Sequence, residues 1–479
     1  MPLAFAPFDA YWVAPLCMGL AALLWRGIPL SRALWRGWLF GLGMFGGGVH
    51  WVYFSLHDYG QASPVVAGLL TLLLVGYLAV YPALVAAGMA SARALTAAPS
   101  LLLLFPALWT LSEWLREWVL TGFPWLALGY SQSDSVLAGW APVLGVHGLS
   151  LFAAVLAGAL ALMVNGTMVA RSVALGLAAL LLFSGHLLQR QEWTRALPQE
   201  LSVTLVQGNI EQDLKWRPEW RRKTLDRYVG LTFDAESTDL VIWPETALPF
   251  YMDQLGAFGP ELSARLRRRG SLLLTGAPTQ VDGQTYNSLV ALGSAAGAYN
   301  KQHLVPFGEF IPMRGLLHVF GDYVQIPMSD FGRGDAQQPG FELGSVRIGA
   351  SICYEIIFPG LIRRSLPESN VLVNVSNDAW FGNSLAPHQH LQIARLRAME
   401  SERYVLRGTN NGISAIIDAT GTVLARTPQF EERTLIGQWI PRTGATPYAR
   451  WGATPSLLLA LGMLLAALLS RRRKPSGRV

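Results

Sequence analysis

Between Ser172 and Val206 the chain reads SVALGLAALLLFSGHLLQRQEWTRALPQELSVTLV, and its character changes within a few residues. Up to Leu188 the run is apolar and close to the roughly 20 residues that cross a hydrocarbon core. From Gln189 charge returns, and Leu201 to Val206 is a short β-rich run suited to a buried strand. A membrane segment here gives way to a water-exposed domain.

Outward from this junction, further apolar runs lie at Ala10 to Trp25, Gly37 to Leu56, Pro64 to Ala90, Pro99 to Leu111, Leu149 to Val164 and Pro455 to Ser470. Lipid offers no partner for a backbone polar group, so these runs are read as helices. With Ser172 to Leu188 they make seven expected spans. Of 479 residues 52% are hydrophobic and only 14% charged, against roughly 25% charged in a soluble domain. The mean hydropathy of +0.33 agrees. A wholly soluble enzyme and a disordered chain are both excluded.

The formal charge is +6 and the sequence pI about 9.4. Arg26, Arg32, Arg36, Arg93, Arg171 and the cluster Arg471 to Lys474 sit in short turns or the tail, where membrane orientation accounts for them. No nucleic-acid recognition module is legible, so no nucleic-acid partner is expected. Cytoplasmic placement of these basic ends puts Gln189 to Arg450 on the opposite face, the periplasm of a bacterium with an outer membrane. Three regions are expected: membrane helices over 1–188, a soluble domain over 189–450, and a last helix with a basic tail over 451–479. Met1 to Phe8 lacks a basic n-region and a cleavage site, and is not read as a secretory signal. The loop Glu113 to His147, rich in Trp, Pro and Gly, reads either as interfacial aromatics or as a partly re-entrant segment. Cys17 lies in an apolar run and Cys353 in the charged region, so no disulfide is expected.

Within the soluble region, short apolar runs such as Leu240 to Trp243, Ser271 to Thr275, Val346 to Ile352, Val371 to Val375 and Ile413 to Ile417 alternate with polar helical stretches, Trp220 to Phe233 and His390 to Tyr404 among them. Such alternation points to an α/β sandwich of buried strands covered by helices.

Three strand ends carry reactive groups. Leu240 to Glu245 ends in a carboxylate, Tyr299 to His303 presents the Lys301 amine, and Ile348 to Glu355 contains the Cys353 thiol. A free thiol is mostly protonated at neutral pH and needs a base as it attacks. Glu245, beside Trp243 and Pro244, is expected to have a carboxyl raised by partial burial. Lys301 and the backbone N–H of Tyr354 are candidates for meeting the charge that develops on a carbonyl oxygen. Each group also has an ordinary reading: a Glu after Trp-Pro caps a turn, and a Cys after β-branched residues is inert core. His388 and His390 form a His-x-His, a weak signal without a further ligand set, and no metal or cofactor is expected.

Taken together, Trp243-Pro244-Glu245, Asn300-Lys301 and Cys353-Tyr354-Glu355 resemble the three catalytic segments of the nitrilase, or carbon-nitrogen hydrolase, superfamily. Tyr299 to Glu309, Ser376 to Gly382 and Thr409 to Gly412 are similar to its membrane branch, the apolipoprotein N-acyltransferases. The resemblance covers nearly the whole chain. It implies a multi-span α-helical membrane bundle carrying a nitrilase-like αββα sandwich. It also implies transfer of a fatty acyl chain from a phospholipid to the α-amino group of a diacylglyceryl-modified N-terminal cysteine of an apolipoprotein, through a thioester. By motif position Glu245 would be the base, Lys301 the oxyanion stabiliser and Cys353 the nucleophile. Glu309, Tyr354, Glu355 and Trp216 would support them. The family has eight spans, so the first is expected to be reduced here to Met1 to Phe8.

An enzyme that attacks a lipid ester gains from apolar lids facing the bilayer. Leu248 to Met252 and Phe310 to Leu317 are expected to form such gates. A membrane-tethered amidase with the same three residues, and a transporter whose soluble domain only binds, are the competing readings.

Overall fold

The computed structural model describes residues 1–310 and 331–470. The chain folds as two compact units. One comprises Met1–Tyr53, Gly68–Glu192 and the chain from Arg450 on; the other comprises Phe54–Ala67 and Trp193–Ala449.

The first unit is a helical bundle. Among the described residues four helices are long and apolar enough to cross a membrane: Pro64–Ser91, Ala97–Arg116, Val136–Asn165 and Met168–Leu188. Val13–Trp25 and Thr454–Leu469 are apolar but shorter. The run expected to be one span from Gly37 to Leu56 is split, because the helix Leu30–Gly48 ends and a new short helix starts at Val52. Small residues bring the helices close, as bilayer packing favours. A Cβ on Gly158 would meet the backbone oxygen of Leu101 at 2.0 Å.

The loop after Arg116 turns back into this bundle through the short buried turn Leu128–Gln132, followed by the partly buried turn Val136–Trp140 that leads into the long helix. Two buried charges hold it. Arg116 donates to the carbonyls of Phe123 and Trp125, each at 2.6 Å. The Glu113 carboxylate accepts from Leu128 N–H at 2.7 Å and Trp109 Nε1 at 2.8 Å. These charges satisfy the loop's own backbone, which is a structural use rather than a transport path.

Among the described residues the second unit contains fourteen strands. β1 (Thr194–Ala196) pairs with β14 (Arg442–Gly444) as a small ribbon. One main sheet contains β2 (Leu201–Gln207), β3 (Leu240–Ile242), β4 (Leu272–Val281), β5 (Gln284–Gly293), β6 (Gly297–Asn300) and β13 (Arg433–Trp439), in the order β13-β2-β3-β4-β5-β6. The other contains β7 (Phe341–Leu343), β8 (Val346–Ile352), β9 (Val371–Ser376), β10 (Val405–Thr409), β11 (Ala415–Ile417) and β12 (Val423–Arg426), in the order β12-β11-β10-β9-β8-β7. Within them β2, β3 and β4 run parallel, as do β8, β9 and β10.

Alternate residues of the two sheets meet in one core: Val203, Leu205, Leu240, Ile242, Leu272 and Leu274 against Ile348, Ile352, Val371, Val373, Val375 and Leu406. The other side of β3, Val241 and Trp243, packs with Tyr228, Leu262 and Leu266 from helices Pro218–Asp234 and Phe258–Arg268. Strands buried on both faces read as continuous apolar runs, which is why they were legible. Helix Ala386–Ser401 packs beside β10, giving the four-layered α/β arrangement.

Most of one expected gate packs inward, while Tyr251 and Met252 stay partly exposed. Leu248 and Phe250 are buried in the core beside Trp243 and Leu255, because the loop after Glu245 needs its own hydrophobic anchor. In the other, Phe310 is half-buried with the Arg333 guanidinium 5.1 Å from its ring. Ile311 to Leu317 and the basic cluster Arg471 to Lys474 lie outside the described residues.

Candidate active site

The carboxyl ends of parallel strands collect the reactive groups, where open α/β sheets usually place their chemistry. Glu245 follows β3, Cys353 follows β8, and Asn377 and Asp378 follow β9. Gly276 lets the Glu245 turn lie against β4: its N–H donates to Pro244 O at 3.2 Å, and a Cβ there would fall 2.3 Å from Thr246 N.

Lys301, 1% exposed, follows β6 and joins two carboxylates. Its Nζ lies 3.1 Å from Glu245 Oε1 and 2.9 Å from Glu309 Oε1. Asn287 of β5 bridges the same two oxygens, donating at 2.8 and 2.7 Å. The remaining oxygens accept from backbone: Asn377 N–H to Glu245 Oε2 at 2.9 Å, and Val305 N–H to Glu309 Oε2 at 2.8 Å. A buried ammonium flanked by two fully bonded carboxylates is what a charge needs to survive out of water.

Burial disfavours the ammonium of Lys301, but Glu245 and Glu309 outweigh it and hold the amine protonated, above its ordinary range. Burial likewise works against ionised Glu245, yet Lys301, Asn287 and Lys215 together bring its carboxyl below the usual value. The expectation that burial raises Glu245 is therefore corrected: the cation beside it decides the sign. The Cys353 thiol is pushed up, first by burial and then by the negative Glu245. At rest the site holds a neutral thiol, a carboxylate and an ammonium that stays charged. A thiol in that state can act as a nucleophile only if its proton leaves as it attacks.

Cys353 itself has φ +52°, in the left-handed region that costs a non-glycine residue about 1–2 kcal/mol. Such strain persists where the surroundings over-determine it. Below it, the fully buried Glu355 accepts from Ile352 N–H at 2.7 Å, Gln302 N–H at 2.6 Å, His303 N–H at 3.1 Å and Tyr299 Oη at 3.1 Å. Burial raises this carboxyl to about 7. Glu355 thus ties the Lys301 turn to the cysteine turn. The Tyr354 ring packs edge-on to Phe358 at 5.2 Å.

Trp216 is half-buried at the end of the short helix Gln212–Lys215. Its neighbour Lys215 turns inward, 2% exposed, and donates to Glu245 O at 3.2 Å. Burial lowers this amine to about 8, against the pull of Glu245 and Cys353. Sequence reading gave Lys215, Asn287 and Asn377 no role. His390 is buried on helix Ala386–Ser401 against Asp378 and Cys353 O, while His388 pairs with Gln429 at 3.0 Å. Residues two apart on a helix do not face each other.

Residues 202–448 match the family described as carbon-nitrogen hydrolase, the class that this sandwich and its buried Glu, Lys and Cys define. Residues 1–159 match the apolipoprotein N-acyltransferase N-terminal domain. Over 99% of its length the chain is 45% identical to the apolipoprotein N-acyltransferase of Methylococcus capsulatus, covering 95% of that relative. It is 42% identical to that of Pseudomonas aeruginosa, over 100% of this chain and 95% of the relative. For Azotobacter vinelandii the identity is 44%, over 98% and 93%. The chain belongs to the apolipoprotein N-acyltransferase family, and is a multi-pass membrane acyltransferase of lipoprotein maturation.

Proposed function

We propose that the enzyme moves one acyl chain from a membrane phospholipid to the α-amino group of the S-diacylglyceryl cysteine that begins an apolipoprotein, by way of a thioester on Cys353. Residues 189–450 form the catalytic region on the periplasmic face of the inner membrane, and 1–188 and 451–479 anchor it. Sγ attacks the ester carbonyl while Glu245 takes the thiol proton. Lys301 Nζ and Tyr354 N–H meet the oxyanion. Collapse expels the lysophospholipid alkoxide, which Glu245 protonates. The neutral amine then attacks the thioester, Glu245 accepts its proton, and the thiolate leaves and is reprotonated.

Glu309 keeps Lys301 charged, Glu355 braces the turn, and Trp216 stands beside the inward-turned Lys215. The observation that carries this reading is the Lys301 ammonium fixed between two carboxylates, one of which, Glu245, accepts from the N–H of Asn377 just after β9, the strand paired with β8 ahead of Cys353. An amine outcompetes water for the thioester if water is kept out before it arrives.

The test supplies purified protein with a phospholipid of defined acyl chain and a synthetic S-diacylglyceryl-cysteine peptide. The peptide should gain the mass of one acyl chain on its amine, and Glu245→Gln should abolish the gain. Hydrolysis of a small amide without lipid, and no peptide acylation, would instead favour the tethered amidase.

A further inference from the structure

Behind the cysteine turn lies a buried polar network that the mechanism above does not use. His390 Nε2 is 3.2 Å from the carbonyl oxygen of Cys353. A carbonyl only accepts, so Nε2 carries the proton. At the other ring nitrogen, Arg407 Nη2 approaches Nδ1 to 2.9 Å. A guanidinium only donates, so Nδ1 presents its lone pair, and the ring is neutral.

Asp378 Oδ1 is also 3.2 Å from Nδ1, a longer contact than that of Arg407, and the carboxylate is held at shorter range by Arg407 Nη2 at 2.9 Å and Ser376 Oγ at 2.7 Å. Arg407 also donates to Asn374 Oδ1. Burial and the Arg407 charge both hold His390 below its ordinary range, in keeping with the neutral tautomer. Each of His390, Asp378 and Arg407 is shielded from solvent. The network thus selects one tautomer and aims its N–H at one backbone carbonyl.

That carbonyl belongs to the Cys353–Tyr354 peptide, which is trans. In a trans peptide the C=O and the following N–H point in opposite directions. Fixing Cys353 O toward helix Ala386–Ser401 therefore fixes the direction of Tyr354 N–H away from it. Asn374 Nδ2 approaches the same carbonyl at 3.5 Å and adds little.

We propose that His390 is a positioning residue for acyl transfer: its Nε2–H holds the Cys353–Tyr354 peptide plane so that Tyr354 N–H is aimed as an oxyanion donor, with Arg407 and Asp378 setting the tautomer. The role rests on the thioester reading given above. It concerns only steps that pass through an oxyanion.

Two reactions of Cys353 separate this role from simple support of the fold. Acylation by phospholipid passes through a tetrahedral oxyanion. Alkylation by iodoacetamide displaces iodide at a saturated carbon and forms none. In the full-length protein, His390→Ala should slow acylation about 10²-fold, the lower end of what losing an oxyanion donor costs, and leave the alkylation rate of Cys353 within a few-fold of wild type. His390→Gln, whose amide N–H can reach the same carbonyl, should recover most of the loss. Equal slowing of both reactions, or no slowing of either, overturns the proposal. A wild-type Cys353 that alkylates but never acylates overturns the thioester reading itself, and this role with it.

Discussion

Lys301→Met keeps most of the length of the side chain and deletes its charge. In the native site the ammonium lies 3.1 Å from Glu245 Oε1 and 2.9 Å from Glu309 Oε1. Without it, two buried carboxylates share one amide, Asn287, at 2.8 and 2.7 Å. Removing one partner of a buried ion pair costs about 3–5 kcal/mol, a large part of a typical total stability of about 5–15 kcal/mol. The variant has one escape, since a carboxylate crowded by another takes up a proton.

This gives the pH dependence its sign. In the wild type, Glu245 lies below the ordinary 4.5, so the stability it contributes is present above that pH and lost as pH falls through the folded value. Between pH 8 and pH 5 that contribution is flat. In the variant a carboxylate is raised, so the folded state is favoured at low pH and loses stability as pH rises through the raised value. The deficit of Lys301→Met is therefore largest at pH 8 and shrinks toward pH 5. Thermal unfolding of the purified protein, followed by tryptophan fluorescence at both pH values, measures it. Adding Glu309→Gln removes one of the two charges and should restore most of the loss at pH 8. A deficit equal at both pH values, or a double variant no better than the single one, refutes this reasoning.

A methyl group on Gly276 would sit 2.3 Å from Thr246 N and 2.5 Å from Pro244 O. Gly276→Ala should therefore move Glu245 and slow acylation about 10²-fold, the cost of a displacement near 1 Å, read as single-turnover thioester formation. Lys215 is held at about 8 against an ordinary 10.5, so the folded state binds its proton less tightly than the unfolded chain does. Wild-type stability should then rise relative to Lys215→Met as pH goes from 8 to 10.5, and melting curves across that window with no divergence would contradict it. Glu355→Gln leaves donors facing an amide that cannot accept from all of them. It should lose about 1.5–3 kcal/mol, the value of hydrogen bonds to a charged group, measured as a lower unfolding midpoint.

The parts of the fold that could be read in advance are those in which one pattern dominates. The four long membrane helices are mostly apolar, and β3 and β9 are buried throughout, so for these length and apolarity were enough. Glu245, Lys301 and Cys353 stood out because each breaks such a pattern near the end of a strand. Asn287 did not, since one amide inside β5 looks like any half-polar strand position. The contribution of Asn377 is a backbone N–H, which no side chain announces. Lys215 was hidden by Trp216, the bulkier neighbour, although it is the lysine that turns inward. His390 was weighed with His388 as a ligand pair, whereas the helix sends the two toward different partners. The split at Gly48 within an expected span was also invisible, because the residues on both sides are equally apolar.

The most direct test of the whole account is the mass of the peptide containing Cys353 after wild-type protein is mixed with a phospholipid of known acyl composition and quenched in acid. The account predicts an increase equal to that acyl group, located on Cys353 and removed by neutral hydroxylamine. An unmodified Cys353 while acylated lipopeptide accumulates, or the acyl group on any other residue, would contradict it.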